Sequence, residues 1–564
     1  MRRLLGIPVL VTAAVTAAVT LYVAFSVPPR AVDLGGRLPD TVRLGAYHIH
    51  TNRSDGTGTV DEVAAAAARA GLAFVILTDH GDATRAPDPP AYRHGVLVID
   101  AVEINTFAGH VVALGLTAAS PYPLAGHPRD VIEDIHRQGG AAVIAHPDSP
   151  SPSLRWRGQN VPADGVEWLN VDSEWRDDRP ATLVLAAARS LIRGPESIAA
   201  LFSRPAASLS RFDAAARQRP TFTLAAVDAH ANIGWRDREE PRQRSVLARP
   251  TYEALFRTVA QAAVLDAPLT GRAPDDAAAV LGALTTGRSF SIVRAFAGPA
   301  SLDFAADHAG GTARMGDRVP AATAGGSVTF RASVPQAPGA AMSLFANGRP
   351  VAEGKGTLRF QHGTEPGVYR VEVAFPGTST PWIVSNPIVI FAPGAPGGPE
   401  TSSDTPDEGG ETLNIPSTPD RWTIEKEPTS SATIAADGSD LRLTFALPPG
   451  PARGQYAAVA TRIETPSGID RVQFDVRASR PMRVSVQFRL PGGRRWRRSV
   501  YVGETPRTIA ISLQDFEPVE PYTSQRPVVS PVETLLLVVD TLNTLPGTDG
   551  TLWISNVSLG LRQP

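Results

Sequence analysis

Residues 74–80 read Phe74-Val75-Ile76-Leu77-Thr78-Asp79-His80, four apolar residues followed, after one threonine, by a carboxylate and an imidazole. A short uninterrupted apolar run predicts a strand covered on both faces, with the polar pair at its C-terminal end. Upstream, Thr59 is placed to cap a helix, Glu62 to complete a capping box, and the alanines between 64 and 70 to propagate it as far as Gly71. The same order recurs further on, where residues 128–138 predict a helix stopped by Gly139-Gly140 and the following apolar run, 141–145, delivers His146. Over residues 42–296 short apolar strands alternate with Ala-rich helical stretches, which predicts an α/β domain with a largely parallel sheet or barrel. A longer helical stretch, 182–218, lies between the strands expected at 166–170 and 222–227 and is a candidate lid or pocket wall.

The polar residues at these strand ends are of one chemical kind. Tyr47-His48-Ile49-His50-Thr51-Asn52-Arg53-Ser54-Asp55-Gly56 opens the series, and His80, Glu103, Gly109-His110, Ala145-His146-Pro147 and Asp228-Ala229-His230 continue it. Two residues separated by one project to the same side of an extended segment, so His48 with His50, and Asp228 with His230, can each grip one ion. The chain contains no cysteine, so a metal must be held by imidazole and carboxylate, a donor set suited to zinc, manganese or iron. His48, His50, Asp55, His80, Glu103, His110, His146, Asp228 and His230 supply enough ligands for two or three divalent ions. The remaining histidines, His94, His127, His136, His308 and His362, are expected at the surface.

In their order and content these motifs resemble those of the polymerase and histidinol phosphatase (PHP) metallohydrolases. The resemblance covers residues 42–296 and implies a distorted TIM-like barrel with a trinuclear centre. It implies that His48, His50, Glu103 and Asp228 surround one metal and carry catalysis, that Asp55, His80 and His230 hold a second, and that Glu103, His110 and His146 hold a third, with Glu103 as the bridge. Asp55 stands where some members carry histidine. The short spacing from Glu103 to His110, and the later Pro381-Trp382-Ile383-Val384-Ser385-Asn386-Pro387, resemble the stand-alone branch that includes carbaryl-type carbamate hydrolases.

The chemistry implied is hydrolysis by a metal-bridging hydroxide, on a small phosphomonoester or phosphodiester, or alternatively on an ester, carbamate or amide. Asp79 and Asp82 are placed either to orient ligand imidazoles or to shape turns. Arg155 and Arg157, which flank Trp156, follow the His146 strand, and Arg176, next to Trp175, follows the next strand; all three are expected on the metal-bearing face as candidates for binding a phosphate.

The whole chain has 564 residues, too many for one core. Residues 1–30 place Arg2 and Arg3 before an uncharged run, 4–27, about 36 Å long as a helix at roughly 1.5 Å per residue. That predicts a transmembrane signal anchor with the remainder extracytoplasmic, at a cell surface or in a periplasm, or secreted if the segment is cleaved. Alternating segments predict an Ig-like β-sandwich over 297–392, a Pro/Gly/Ser-rich linker over 393–416, and a jelly-roll β-sandwich over 417–564 that loosely resembles galactose-binding modules. Trp496 or Trp553 of this last unit is a candidate for stacking on a glycan, which leaves open a third reading, a surface carbohydrate-binding protein whose barrel is auxiliary. A net charge of -2 carries no nucleic-acid footprint.

Overall fold

The computed structural model describes residues 6–232, 249–392, 412–450, 454–463, 468–519 and 532–561. The chain divides into two compact units, the first comprising Met1–Gly81, Pro87–Thr117 and Ile135–Pro399, the second Asp82–Ala86, Ala118–Asp134 and Glu400–Pro564.

In the first unit the capping box forms as its sequence dictates: the Glu62 N–H donates to Thr59 Oγ1 at 3.3 Å, and Glu62 Oε2 accepts from the Thr59 N–H at 2.9 Å. The helix Val60–Arg69 that it starts buries Val63, Ala64, Ala66 and Ala67. The strand Val42–Tyr47 pairs in parallel with Phe74–Leu77, which pairs in parallel with Val96–Asp100. Phe74 and Ile76 enter one hydrophobic cluster and Val75 and Leu77 another, which is why this strand reads as a continuous apolar run. A second sheet runs in the order Phe222–Ala226, Gly165–Asn170, Ala141–Ile144, Gly109–Leu114, Val102–Thr106 and His80–Gly81. Phe74, Ile76 and Leu97 from the first sheet pack with Val112, Val143 and Leu224 from the second in one buried cluster.

The expectation of an α/β fold with a TIM-like barrel is corrected by these pairings. The described residues form mostly β-structure in several sheets of mixed strand direction, not a closed ring of parallel strands. Two local causes are visible. The strands Val102–Thr106 and Gly109–Leu114 are joined by a tight turn and are therefore antiparallel. Ala260–Val264 inserts antiparallel beside Val42–Tyr47, and its neighbour Ser289–Ile292 pairs with Ile383–Ser385, so the sheet runs on through Gly367–Val373 instead of closing.

The transmembrane anchor is likewise corrected: among the described residues no helix is long and apolar enough to cross a membrane. The helix Gly6–Phe25 instead leads into a segment tied to polar side chains of its own unit. Arg189 Nε donates to Ser26 Oγ at 3.0 Å, Arg193 Nη1 to the Pro28 carbonyl at 2.5 Å, and the Ala31 N–H to Glu196 Oε1 at 3.1 Å. An uncharged run carries no record of these long-range partners. Arg2 and Arg3 lie outside the described residues.

The second unit is built on two antiparallel sheets whose facing side chains, among them Trp422, Phe445, Phe474 and Phe488, form its core. Of the segment expected to be a linker, 393–411 lies outside the described residues, while Thr412–Ile415 is a strand paired with Asp549–Leu561. Trp496 is 8% exposed and belongs to this core, which removes it as a stacking platform.

Candidate metal centre

Strand ends bring the ligand series together. The Tyr47 strand runs into His48, and the backbone of His50 is fixed by its N–H donating to the Ala229 carbonyl at 3.0 Å, which brings the 48–50 and 228–230 segments side by side. His80 lies opposite Glu103 in a parallel pair, and His110 follows on the antiparallel neighbour. His146 and Asp228 sit just past the ends of Ala141–Ile144 and Phe222–Ala226. In the Asp55 loop, Gly56 presses so closely on His50 that a Cβ there would lie 2.2 Å from the His50 carbonyl oxygen.

Glu103, 1% exposed, is the hub. Its Oε2 lies 3.3 Å from His48 Nε2, 3.2 Å from His50 Nε2 and 3.2 Å from His80 Nδ1, and its Oε1 lies 2.8 Å from His110 Nδ1 and 2.9 Å from His146 Nε2. Asp228 Oδ1 lies 3.3 Å from His48 Nε2 and 3.4 Å from His50 Nε2, and Asp55 Oδ1 lies 3.3 Å from His230 Nε2. Ligand atoms within 4.8 Å of one another form three groups: His50, Asp55, His80 and His230; His48, His50 and Asp228; and His80, Glu103 and His110. His50 and His80 are each shared between two of these groups. His146 joins through Glu103.

Whether these residues fit divalent ions is tested by where their protons must be. His48 Nδ1 is 2.6 Å from Glu167 Oε1, His146 Nδ1 is 3.0 Å from the Leu154 carbonyl, and His230 Nδ1 is 3.0 Å from the Asp228 carbonyl. Each of those oxygens accepts, so the neutral ring carries its proton on Nδ1 and turns a bare Nε2 toward a carboxylate. Lone pairs facing carboxylates, with His48 Nε2 and His50 Nε2 only 3.1 Å apart, demand a positive charge between them. Asp228 Oδ1 and His80 Nδ1 are buried without a hydrogen-bond partner among the described residues. The donor set and these two orphaned atoms fit divalent metal ions held by imidazole and carboxylate.

The electrostatics agree. Burial lowers the pKa of each buried imidazole, and at His80 it prevails. At His48 burial is outweighed by Asp228, Glu167 and Glu103, which hold the pKa well above its ordinary value. At His50 burial is outweighed by Asp228 and Glu103, which push it up to about 10. Burial acts in the opposite sense on Glu103 and Asp228, but the surrounding imidazoles, His48 foremost, keep both well below the carboxylate range.

Other expected residues have more local tasks. Asp79 accepts from the Thr51 N–H, Thr51 Oγ1 and Ser54 Oγ, each at 2.7 Å, and so shapes the loop carrying Asp55 without touching an imidazole. Asp82 accepts from Thr84 within its own turn. Arg155 Nε donates to the Ser149 carbonyl at 2.9 Å, Arg157 Nη2 to the Phe107 carbonyl at 3.1 Å, and Arg176 pairs with Asp172, so all three guanidiniums are engaged with the protein.

Sequence reasoning also misses residues that support the centre, Tyr252 and Glu167 among them. Tyr252 lies under the 50–58 loop, its hydroxyl 2.7 Å from the His50 carbonyl and 3.2 Å from the N–H groups of Thr57 and Gly58. Glu167, fully buried, holds His48. A charge inside the apolar run Val166-Glu167-Trp168-Leu169 was the available signal, because a buried carboxylate needs partners.

No family model matches the chain. Among solved structures, the family 11 carbohydrate-binding module of the cellulosomal cellulase Lic26A-Cel5E of Clostridium thermocellum is similar over 28% of this chain and 97% of its own, at 13% identity and a TM-score of 0.22. A mutant of a family 29 carbohydrate-binding module is similar over 27% of this chain and 94% of its own, at 13% identity and a TM-score of 0.20. Overlaps this slight carry no argument about function. In sequence, the uncharacterized protein MJ1587 of Methanocaldococcus jannaschii is 33% identical over 139 residues, which cover 22% of this chain and 80% of that protein. Through that segment, the chain belongs to the same family as the archaeal protein MJ1587.

Proposed function

We propose that the first unit is a metal-dependent hydrolase acting on a small phosphomonoester or phosphodiester. The observation that carries this reading is the convergence of three overlapping ligand groups around the buried Glu103 and Asp228. His48, His50 and Asp228 would hold one ion, His50, Asp55, His80 and His230 a second, and His80, Glu103 and His110, with His146 beside them, a third. Bound there, such ions supply Lewis acidity and a lowered pKa for water. The chain's own residues do the positioning: Glu103 draws five imidazoles to one point, and Asp79 shapes the loop that presents Asp55. The resemblance of the motifs to PHP metallohydrolases supports the reaction class, and an ester, carbamate or amide substrate is the alternative within it.

Chelation of the purified protein is expected to abolish turnover of phosphate esters and added divalent ions to restore it, while a His48→Ala/His50→Ala variant stays inactive when the ions are added. Matched panels of phosphate esters and of carboxyl and carbamate esters separate the two substrate classes. Turnover that survives both chelation and the double substitution would sink the hydrolase reading.

A second reading concerns the second unit, whose outer sheet face around Trp553 is a candidate for binding saccharide. Trp553 lies in register between Arg442 and Arg477, with the Arg477 guanidinium 3.7 Å from its ring centroid, and its Nε1 donates to Asp437 Oδ2 at 2.9 Å. Beside it, Asp475 accepts from Thr508 at 2.6 Å and from Asn556 at 2.7 Å, lining a cavity of about 380 Å³. Fixed donors and acceptors around an aromatic ring suit a polyhydroxylated ligand. Trp553→Ala is expected to weaken binding to soluble polysaccharides at least about tenfold in affinity electrophoresis, a loss of about 1.4 kcal/mol. Equal migration of the variant and the parent in every polysaccharide would count against this reading.

A further inference from the structure

The ligand residues His48, His146 and Asp228 share a backbone property: their φ angles are 67°, 29° and 44°, in the left-handed region that ordinary residues enter at a cost. Such strain persists only where surrounding structure over-determines it. All three are held by two buried residues of one strand, Gly165–Asn170. Glu167 Oε1 meets His48 Nδ1 at 2.6 Å, and Glu167 Oε2 accepts from the backbone N–H of His146 at 2.7 Å. Asn170 Nδ2 donates to Glu167 Oε2 at 3.0 Å and to Asp228 Oδ2 at 3.1 Å, while its Oδ1 accepts from the Ser173 N–H at 3.0 Å. This last bond assigns the amide orientation.

We infer that Glu167 and Asn170 form a positioning pair that locks His48, His146 and Asp228, delivered by three different strands, into the geometry in which they bind metal. The inference rests on the metal reading above. The pair works because Glu167 only accepts. The His146 N–H and the Asn170 amide are obligate donors, and His48 must donate from Nδ1 if its Nε2 is to face the metal. A glutamine at 167 has the same shape but turns an N–H₂ group against one of these donors, so either His48 changes tautomer or the contact to His146 and Asn170 breaks. Asn170 in turn uses its two amide protons as a fork, so that the Glu167 and Asp228 carboxylates move together.

The test uses the full chain with Glu167→Gln, Glu167→Asp and Asn170→Ala, and two readouts. The first is equilibrium binding of Mn²⁺ or Zn²⁺ alone. Glu167→Gln and Asn170→Ala are expected to bind about 10- to 100-fold more weakly than the parent, and Glu167→Asp, which keeps an acceptor-only group, to recover part of the loss. The second is the ¹H–¹⁵N spectrum of the histidines in the metal-free protein, in which an Nδ1–H of His48 held by its bond to Glu167 is expected in the parent and in Glu167→Asp but not in Glu167→Gln. Should Glu167→Gln fail to fold, Asn170→Ala and Glu167→Asp decide. Parent-like metal affinity and an unchanged His48 Nδ1–H signal in the substituted chains would overturn the inference. A parent chain that takes up no metal would instead overturn the hydrolase reading, and the Nδ1–H signal would still decide whether Glu167 positions His48.

Discussion

Glutamine in place of Glu103 is expected to lower metal-dependent turnover by about a thousandfold, equivalent to about 4 kcal/mol of transition-state stabilisation. Five imidazole nitrogens lie within 3.3 Å of this carboxylate, and three of the histidines are also within reach of Asp55 or Asp228. Removing its charge takes away the oxygen pair around which the ligand groups overlap and leaves an amide N–H₂ pointing at nitrogens that must remain bare. The loss is expected in metal uptake and not in folding, because the amide can still pair with imidazole in the metal-free chain.

Proton counting offers an independent check. In the metal-free chain the His50 imidazolium persists to about pH 10, because burial, which opposes it, is outweighed by Asp228 and Glu103. Its folded pKa exceeds the unfolded value of about 6.5, so its contribution to stability is complete below about pH 6.5 and is lost as the pH rises through about 10. A metal ion bound at His50, as proposed, would have to displace that proton. Uptake is therefore expected to strengthen with rising pH and to release protons near neutrality, and the Glu103→Gln chain to release fewer. Titration calorimetry in two buffers of different ionisation enthalpy reads this directly. A heat independent of buffer would contradict it.

The second large effect is structural and lies away from the metal centre. Arg370 is 1% exposed, with its Nε and Nη2 donating to Asp213 at 2.8 and 2.9 Å and its Nη1 to Glu372 at 2.5 Å. Asp213→Ala strands a buried guanidinium beside a single remaining carboxylate, which itself is shared with Arg204. The expected cost is about 3–5 kcal/mol, seen as an earlier urea midpoint for the first unit. Replacing Arg370, Asp213 and Glu372 together by apolar residues of similar volume is expected to recover most of it, because the penalty arises from the unpaired charge. The exposed pair Arg331–Asp307, also bidentate, makes the contrast: Asp307→Asn is expected to leave the urea midpoint close to that of the parent. Similar losses at the two sites would show that burial is not what sets the size of the effect.

Local signals in the chain were legible because they act over a few residues. The Thr59 and Glu62 box starts its helix, Phe74–Leu77 is a strand, and the imidazoles and carboxylates placed after such runs gather at one centre. Strand ends are where a pleated segment leaves its ladder, and a polar side chain there escapes the core without disturbing the pairing.

What resisted reading depends on partners far away in the chain. An apolar run does not state which neighbour it pairs with or in which direction, so nothing in the sequence marks the edge that Ser289–Ile292 offers to Ile383–Ser385. The uncharged stretch at the N-terminus looks the same whether its surroundings are lipid or protein, and the contacts of Arg189, Arg193 and Glu196 with the segment after it were invisible. Arg155 and Arg157 were placed near the site by their position, but backbone carbonyls around them set their use. Glu167 and Asn170 carry no motif of their own and acquire their task only when three other strands deliver donors and acceptors to them. Residue order thus specified the chemical inventory and its placement at strand ends, since those follow from period and local bonding. Sheet direction, closure and the support beneath the ligands came from folding, because pairing and burial are properties of residues brought together and not of residues in sequence.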